Sequence, residues 1–385
     1  MSQTNTQKLI RDTFLDLARA LETGRLEDAP GIALSAPGSE HGEDNALQAA
    51  LQASRNGVNV HYIGSLSHPD LTCHEAQNEA QAHQVMERLL ADGTCKGAVA
   101  MHYPFPIGVA TVGRVPAPAT GKPIYLATTT GTAATDRVEA MVRGAVAGII
   151  TAKACGVEQP AVGLLNIDGA RQAEGILKKL NEQGYPITFA QSARSGGGCV
   201  LRGNDVLAGS SDVVVMDSLT GNVIIKMLSA FTSGGIYETT GDGYGPGIGE
   251  GYDRLVAIVS RASGAAVVAN ALSYTAQVAG SPWQDIASAE YRLAYQAGLK
   301  ALLDELSARR NAPVREEIQA PPQEAVTQDI AGVEVMELEE AVRSLWKKGI
   351  YAQSGMGCTG PVVMVSEQNL SRALAALKEG GFVSG

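Results

Sequence analysis

Short apolar runs alternate with longer stretches of helical periodicity along most of the first 260 residues. The apolar runs lie at 31–36, 58–64, 97–103, 161–167, 187–192, 212–216 and 255–260. Several are separated by ten or more residues whose apolar positions recur with a helical period. Short apolar strands between helices indicate βαβ units, and strands without polar alternation indicate a sheet buried on both faces. The pattern predicts an α/β protein with a mostly parallel sheet.

The chain changes character after residue 280. A helical stretch at 281–310 begins with Ser281 as a cap and Pro282 at the first helical position. Residues 311–332 are polar, contain prolines and show no apolar period, which predicts a linker. We therefore expect a body at 1–310, a linker at 311–332, and a C-terminal β-α extension at 333–385 that carries Cys358.

Composition and charge exclude several classes of function. The net charge is −10 and the isoelectric point about 5.2, whereas a nucleic-acid or membrane surface attracts a basic protein. Charged residues interrupt the first 24 positions, so no signal peptide is predicted there, and apolar residues such as Phe14 and Leu17 fall at the spacing of an amphipathic helix. We expect a cytoplasmic protein.

The five cysteines are scattered and form no CxxC pair, which argues against both a disulfide framework and a structural zinc site. Cys73 and Cys155 are interpreted as packing residues. Cys358 differs, because three glycines surround it in "SGMGCTG" (354–360) and leave little bulk around the sulfur. A nucleophilic cysteine also needs a neighbour that lowers its pKa, and the sequence does not reveal one.

A second glycine-rich segment, "GDGYGPGIGEGYDR" (241–254), invites comparison with nucleotide-binding loops. It lacks the GxGxxG spacing and does not follow an apolar strand, so it is not a dinucleotide fingerprint. The chain also contains no GxxxxGK[ST] motif. We expect this segment to be a flexible lid or a subunit-contact loop.

The segment "QSARSGGGCVLRG" (191–203) combines an arginine, a hydroxyl and three glycines after a predicted strand. Backbone N–H groups of glycines can converge on an anion, and an arginine beside them suits phosphate or carboxylate. A plain turn at a strand end with an exposed arginine explains the same residues equally well. The candidate anion ligands are Arg194, Ser195, Gly196, Gly197 and Gly198.

Two further polar segments follow predicted strands and precede helices. One contains Asp217, Thr220, Gly221 and Asn222, and the other is "TTTGTAATD" (128–136). Ligands of α/β sheets gather at the carboxyl ends of strands, where helix starts offer free N–H groups. Aspartate and threonine also favour helix starts as ordinary caps. Two such ends in one fold predict an anion-binding cleft.

These motifs resemble known families. The region 90–270, with "SSDVVVMDSLTGNVIIKM", resembles the phosphate acyltransferases of phospholipid synthesis, which usually have glycine where this chain has Ser218. Over nearly the whole length, "MHYPFPIGVATVGRV", "SARSGGGCVLRGNDVLAG", "GYGPGIGEGYDR" and "YAQSGMGCTGP" resemble the alpha subunits of component C of the glycine/sarcosine/betaine reductase complex.

The resemblance implies a fold, a reaction and partners. The fold would be a mostly parallel sheet with helices on both faces, in a two-lobed phosphate-acyltransferase (isopropylmalate-dehydrogenase-like) architecture. Cys358 would carry an acetyl thioester, and phosphate would release it as acetyl phosphate without a cofactor or metal. The implied partners are the thiolase-like component C beta subunit, the selenoprotein component A and inorganic phosphate, within an oligomer. Cys95 also resembles a family cysteine, and its role stays open between a function in the family and packing. Cys199 would line the cleft without reacting.

Two other functions stay open at this point. A stand-alone acyl-phosphate synthase would take thioesters of acyl carrier protein or coenzyme A and would not need Cys358. A non-catalytic scaffold subunit would bind the complex without turnover. His102, after the predicted strand 97–103, is either a base or an ordinary strand-end histidine.

Overall fold

The computed structural model describes residue 14 and residues 29–193, 198–311, 319–357 and 360–383. The chain divides into two compact units, unit 1 with residues 1–163 and 187–293, and unit 2 with residues 164–186 and 294–385. Compactness does not establish which segments fold independently, so the boundaries at 310 and 332 stay a prediction.

The strands follow in chain order. They are Gly31–Ser35 (β1), Asn59–Gly64 (β2), Thr72–Glu75 (β3), Gly97–Ala100 (β4), Val109–Pro116 (β5), Pro123–Thr132 (β6), Ala161–Leu165 (β7), Thr188–Phe189 (β8), Val200–Leu201 (β9), Val213–Val215 (β10), Gly245–Gly249 (β11), Val256–Ile258 (β12), Gln328–Ala331 (β13), Ala352–Gly357 (β14) and Gly360–Val365 (β15).

The helices lie between them. They are Gly42–Arg55 (α1), Glu79–Ala91 (α2), Arg137–Ala154 (α3), Ala170–Glu182 (α4), Gly203–Ala208 (α5), Ser218–Ala230 (α6), Ala265–Ala279 (α7), Trp283–Gln296 (α8), Leu299–Asn311 (α9), Leu338–Lys347 (α10) and Leu370–Glu379 (α11). Short 3₁₀ turns occupy Phe231–Ser233, Val335–Glu337 and Glu367–Asn369.

Within the described residues, strands β1 to β12 form one sheet in the order β3-β2-β1-β4-β12-β11-β5-β6-β10-β7-β8, with β9 paired to β7. Neighbours are parallel on the β3 side up to β12, and β6 is again parallel to β10. Between these groups β11 and β5 make three antiparallel pairings. Because three reversals separate them, β4 and β12 run opposite to β6 and β10.

Alternate residues of β1 show why the sheet has helices on both faces. Ile32 and Leu34 pack into a core with residues of α1 and α7. Ala33, between them, points to the other face and packs with Met86 of α2. Successive side chains of a strand point to opposite faces, so both faces need an apolar cover. The predicted fold class, a mostly parallel α/β sheet with helices on both faces, is confirmed.

The prediction of a flexible loop at 241–254 is wrong for its central part. Gly245–Gly249 form β11, a fully buried strand between β12 and β5. A Cβ on Gly245 would lie 1.7 Å from the carbonyl oxygen of Val112, and one on Gly247 would lie 2.4 Å from the ring of Phe105. The glycines therefore allow close backbone approach rather than motion.

Unit 2 contains a second, smaller sheet in the order β13-β15-β14, in which β13 and β14 both pair with β15 in antiparallel fashion. Helices α10 and α11 supply Leu345 and Leu377 to a core shared with Val363 of β15. Strand β13 lies inside the segment predicted to be a linker. Its one buried side chain, Ile330, gives too short a pattern to distinguish a strand from a loop.

A buried carboxylate of unit 2 caps helix α4. The Glu334 side chain, 7% exposed, accepts hydrogen bonds from the N–H of Gly169 at 2.8 Å and of Arg171 at 2.6 Å. Gly169 is the N-cap of α4 and offers no side-chain cap of its own, so Glu334 satisfies donors that the helix start leaves open. Burial raises the pKa of Glu334, the two N–H donors counter this in part, and Asp168 adds to the rise.

Candidate functional site

The carboxyl ends of β6, β10, β7 and β8 lie at one edge of the unit 1 sheet. β6 is parallel to β10, and β7 is parallel to β8. Asp212, immediately before β10, donates its N–H to the carbonyl of Ala161, the first residue of β7, so these two strands begin at the same edge. The segments that follow β6, β8 and β10 therefore emerge on a common side, as the sequence predicts for an α/β ligand site.

The start of helix α6 is built by its own residues. Asp217 is the N-cap, and its carboxylate accepts hydrogen bonds from the N–H of Thr220 at 3.0 Å and from the Thr220 hydroxyl at 2.8 Å. The carboxylate thus accepts a hydrogen bond from one of the N–H groups at the helix start that an anion would otherwise use. Asp217 acts here as a cap that holds Thr220 in place.

The next turn of α6 joins the helix to strand β6. Asn222 donates from Nδ2 to the carbonyl of Thr129 at 3.2 Å. Gly221 faces Thr128 so closely that a Cβ would lie 1.8 Å from the Thr128 carbonyl oxygen. The glycine is therefore needed for the helix to approach this strand, whose peptide between Ala127 and Thr128 is cis.

A threonine network, missed in the sequence, holds the same end of β6. Thr129 is fully buried and its hydroxyl lies 2.7 Å from that of Thr111 on β5. The Thr129 hydroxyl also donates to the Tyr244 carbonyl at 2.6 Å, and the Thr130 N–H donates to Thr111 Oγ1 at 2.9 Å. These bonds fix the polar end of β6 beside α6. In the sequence, the run of threonines at 128–130 shows only a polar strand end, because the partners Thr111 and Tyr244 lie far away in the chain.

Asp205 frames the arginine- and glycine-containing segment after β8. Its carboxylate accepts from Ser192 Oγ at 2.8 Å, from the N–H of Ala193 at 2.9 Å and from the N–H of Arg202 at 2.8 Å. Burial alone would raise the pKa of Asp205, but these hydrogen bonds outweigh it and lower the pKa. One ionised side chain thus ties residues on both sides of the segment 194–198.

The described part of that segment consists of one residue. Gly198 is exposed, has φ 55°, and its carbonyl accepts from the Ser192 N–H at 2.8 Å. The other predicted anion ligands, Arg194, Ser195, Gly196 and Gly197, lie outside the described residues. Sequence reasoning missed Asp205; an aspartate at the third position of a short helix, seven residues after Gly198, was the available signal.

Cys358 also lies outside the described residues, together with Thr359. They connect β14 to β15, which pair in antiparallel fashion from Ala352↔Val365 to Gly357↔Gly360. The glycines of "SGMG" therefore belong to a strand, and the residues next to Cys358 and Thr359 in the chain are partners across a hairpin. Gly360 has φ +128° and nothing within 4 Å of an added Cβ.

Three other cysteines have environments that keep the thiol protonated or enclosed. Cys95 is 1% exposed, and burial, aided by Asp92, raises its pKa to about 12. Cys199 is buried. Burial raises the pKa of Cys155, although the Arg114 guanidinium 3.8 Å away opposes this. Thiolate chemistry needs the opposite shift, so packing is the better interpretation of Cys95.

The remaining candidates do not converge on this edge. His102 is exposed and follows β4, which runs opposite to β6, so it lies at the other edge of the sheet. Across the described ranges, no group of three or more His, Cys, Asp or Glu side chains could hold a metal ion. No helix in the described part of the chain is long and apolar enough to cross a membrane.

Comparisons with known proteins place the chain in a family. Residues 31–364 match a family model described as "Fatty acid synthesis protein". The chain is 50% identical over 384 residues, 99% of its own length and 100% of the relative, to the glycine/sarcosine/betaine reductase complex component C subunit alpha of Peptoclostridium acidaminophilum. This relative matches end to end.

Other known proteins are similar to part of the chain. A phosphate acyltransferase of Acetivibrio thermocellus is 39% identical over 83 residues, 22% of this chain and 23% of that protein. A branched-chain phosphotransacylase from Enterococcus faecalis V583 superimposes with a TM-score of 0.48 at 16% identity, over 66% of this chain and 99% of that one. The full-length match confirms the resemblance found in the motifs: the chain belongs to the family of component C alpha subunits of the glycine/sarcosine/betaine reductase complex.

Proposed function

We propose that this chain transfers an acetyl group from a thioester on Cys358 to inorganic phosphate, releasing acetyl phosphate as the last step of glycine, sarcosine or betaine reduction. Acyl transfer to phosphate in general is supported by the family and by the local similarity to phosphate acyltransferases. The identity of the acyl group as acetyl and its attachment to Cys358 are what the experiment below tests.

The observation that carries the proposal is the common sheet edge shared by the segments after β6, β8 and β10. The Asp205 frame holds both ends of the segment 194–198, and the start of α6 is locked against β6. A sheet edge whose loops are tied down in this way suits a small anion that must be held still while it reacts.

The reaction needs one bond to form and one to break. A phosphate oxygen attacks the thioester carbonyl carbon, a tetrahedral oxyanion forms, and the C–S bond breaks to leave the Cys358 thiolate and acetyl phosphate. Arg194, Ser195 and the N–H groups of 196–198 bind the phosphate and stabilise its charge. Residues 217–222 complete the site, with Asp217 and Asn222 positioning the helix start rather than touching the anion.

Partners follow from the complex named for the full-length relative. We propose that a beta subunit of component C binds this chain and that the selenoprotein component A delivers the two-carbon unit. A thioester on a cysteine is the group that such a carrier could load and that phosphate could then discharge. No cofactor or metal is required for this exchange.

The test is the intact mass of the full chain after incubation with acetyl phosphate, because the reaction is reversible. We expect one acetyl group on the wild type, its loss on adding phosphate, and no acetylation of Cys358→Ala. Cys95→Ala and Cys199→Ala are matched controls that should still be labelled. Equal labelling of wild type and Cys358→Ala would overturn the cysteine assignment.

The stand-alone acyl-phosphate synthase is the second candidate. It is favoured by the local match to phosphate acyltransferases, which covers 22% of this chain in the case of the Acetivibrio thermocellus protein. It predicts that Cys358→Ala keeps phosphate-dependent release of acetyl phosphate from acetyl-coenzyme A or acetyl-acyl carrier protein. No labelling of any variant, with no turnover even after addition of the beta subunit, would favour a scaffold.

A further inference from the structure

Two histidines on neighbouring strands at one end of the large sheet share a hydrogen bond. His61 lies on β2 and His74 on β3, which is the last strand at that end of the sheet. Nδ1 of His61 lies 3.1 Å from Nε2 of His74, and the two rings are stacked with their planes 13° apart. One of these nitrogens therefore carries a proton, and the other accepts it.

Strand register brings the two rings together. β3 is parallel to β2, and His74 pairs with Ile63, two residues after His61. The histidines are therefore diagonal neighbours on one face of the sheet. Ala33, the partner of His61 on β1, packs on this same face against Met86 of α2. His61 is consequently 9% exposed, and His74 is half-buried beside it.

The charged groups that act on the pair come from helix α2. Arg88 in its last turn acts on His74, and Asp92, its C-cap, acts on both rings. On the other side of β2, β1 has no titratable side chain. Cys73 and Glu75 flank His74 on β3 and point to the opposite face, since successive side chains of a strand alternate. Asp92 is exposed, so solvent weakens its attraction for a proton on either ring.

This environment keeps both rings neutral near pH 7. Burial lowers the pKa of His61 and of His74, and Arg88 lowers that of His74 further, while Asp92 opposes both shifts. In the neutral pair, an N–H of one ring faces a lone pair of the other. When both rings are protonated, two N–H groups and two positive charges face each other, so the hydrogen bond is lost.

We propose that the His61–His74 pair is an acid-sensitive latch, which holds β3 against β2 and opens when both rings take up protons. β3 consists of four residues, Thr72–Glu75, and pairs with a single strand. A short strand at the end of a sheet is a segment that detaches without unfolding the core. When β3 leaves, β2 becomes the edge strand and exposes its main-chain groups. The inference does not depend on the proposed reaction.

The direction of the pH effect follows from linkage. In the open state both histidines return to the ordinary pKa of 6.5, whereas the closed state holds their pKa below this value. Opening therefore takes up protons, so the latch is closed above pH 6.5 and is lost as pH falls through the lowered pKa. A net uptake of one proton raises the opening constant about tenfold between pH 7.5 and 5.5.

The experiment is hydrogen–deuterium exchange of the full chain at pH 7.5 and 5.5, measured by mass spectrometry in peptides that cover β3. Exchange rates are divided by the rates of unstructured peptides at the same pH, so that protection reports opening. The test variant is His74→Gln, because glutamine can still form a hydrogen bond but does not titrate. The matched control is His83→Gln, because His83 lies on α2 beside Glu87 and Tyr103, with 41% of its side chain exposed.

We expect the protection of β3 to fall about tenfold in the wild type and in His83→Gln, and by less than about twofold in His74→Gln. Helix α3 serves as the internal reference and should keep its protection in all three proteins. Unchanged protection of β3 in the wild type overturns the proposal. An equal fall in His74→Gln, or a parallel fall in α3 that indicates global acid unfolding, overturns it as well. If circular dichroism shows that His74→Gln does not fold, His74→Asn takes its place.

Discussion

Two glycine-rich segments look alike in the sequence and differ in the structure. In 241–254, Gly245–Gly249 form a buried central strand in which an added Cβ would meet backbone or ring atoms. In 354–360, the three atoms nearest an added Cβ on Gly355 all belong to the flexible Met364 side chain, and a Cβ on Gly360 would have nothing within 4 Å. Glycine density therefore predicts neither motion nor access. What decides is the nature of the nearest atom.

The largest effect is expected for Gly245→Ala. Gly245 has φ +83°, and the new Cβ would lie 1.7 Å from the Val112 carbonyl oxygen, which belongs to the neighbouring strand. Strain and overlap together should cost at least about 4 kcal/mol of unfolding free energy, enough to unfold many domains. The measurement is soluble yield and thermal unfolding by circular dichroism.

Gly251→Ala is the matched control for that substitution. Gly251 also has a positive φ, +67°, but nothing lies within 4 Å of its added Cβ. We expect it to cost about 1–2 kcal/mol, from backbone strain alone. Equal losses for both variants would mean that close approach to Val112 contributes nothing, and the contrast between the two segments would fail.

Glu334→Ala should have the next largest effect, in unit 2. It leaves the N–H groups of Gly169 and Arg171 without their carboxylate acceptor. We expect a loss of about 2–3 kcal/mol from urea unfolding, since each buried donor left unsatisfied is costly. Glu340→Ala on the exposed face of α10 is the control and should change stability by less than about 0.5 kcal/mol.

The same residue gives a pH dependence with a defined sign. Because burial raises the pKa of Glu334 above its ordinary 4.5, the folded state binds more protons than the unfolded state as pH rises through this range. Its contribution is fully present below pH 4.5 and declines as pH rises through the raised pKa. Stability of the wild type should therefore fall with pH relative to Glu334→Gln. A parallel pH profile of both proteins would contradict this.

A small effect is expected for Gly355→Ala in the hairpin. The added Cβ would lie 3.1 Å from Met364 Sδ, the end of a flexible side chain that can move aside. Alanine also loses less chain entropy than glycine in a strand. We expect a change below about 1 kcal/mol in urea unfolding. A loss as large as that of Gly245→Ala would show that the hairpin is packed as tightly as β11.

The smallest effect on stability is expected for Cys358→Ser. Cys358 lies between β14 and β15 in the chain, and the pairing of these strands up to Gly357↔Gly360 does not involve its thiol. We expect the free energy of unfolding to stay within about 0.5 kcal/mol while acetylation by acetyl phosphate is lost. A destabilised variant would indicate that Cys358 packs as a buried side chain.

The sequence predicted the elements whose pattern is local and strong. Apolar runs predicted β1, β2, β4, β7, β8, β10 and β12, because a buried strand requires continuous apolar residues. β11 was missed because its glycines are required by the close approach of strands and side chains that lie far away in the chain. β5 was missed because no helix separates it from its antiparallel neighbour β6, and β13 was missed because it has only four residues.

The candidate site was predictable in part. Asp217, Thr220 and Asn222 stand at a helix start after a strand, as their types indicate. Their contacts with β6, by contrast, depend on how α6 packs, which no local pattern encodes. Asp205 was missed because its three donors come from both sides of a loop and from the helix start that it caps. The roles of Arg194 and Cys358 stay predictions.

Glu334 makes the C-terminal sheet a tethered ligand of helix α4. The carboxylate cannot diffuse away from the helix, so its effective concentration at the helix start depends on the length of the chain between α9 and β13. A contact that would be too weak between separate molecules can then be permanently occupied. Lengthening that connection should loosen the capped helix without altering either sheet.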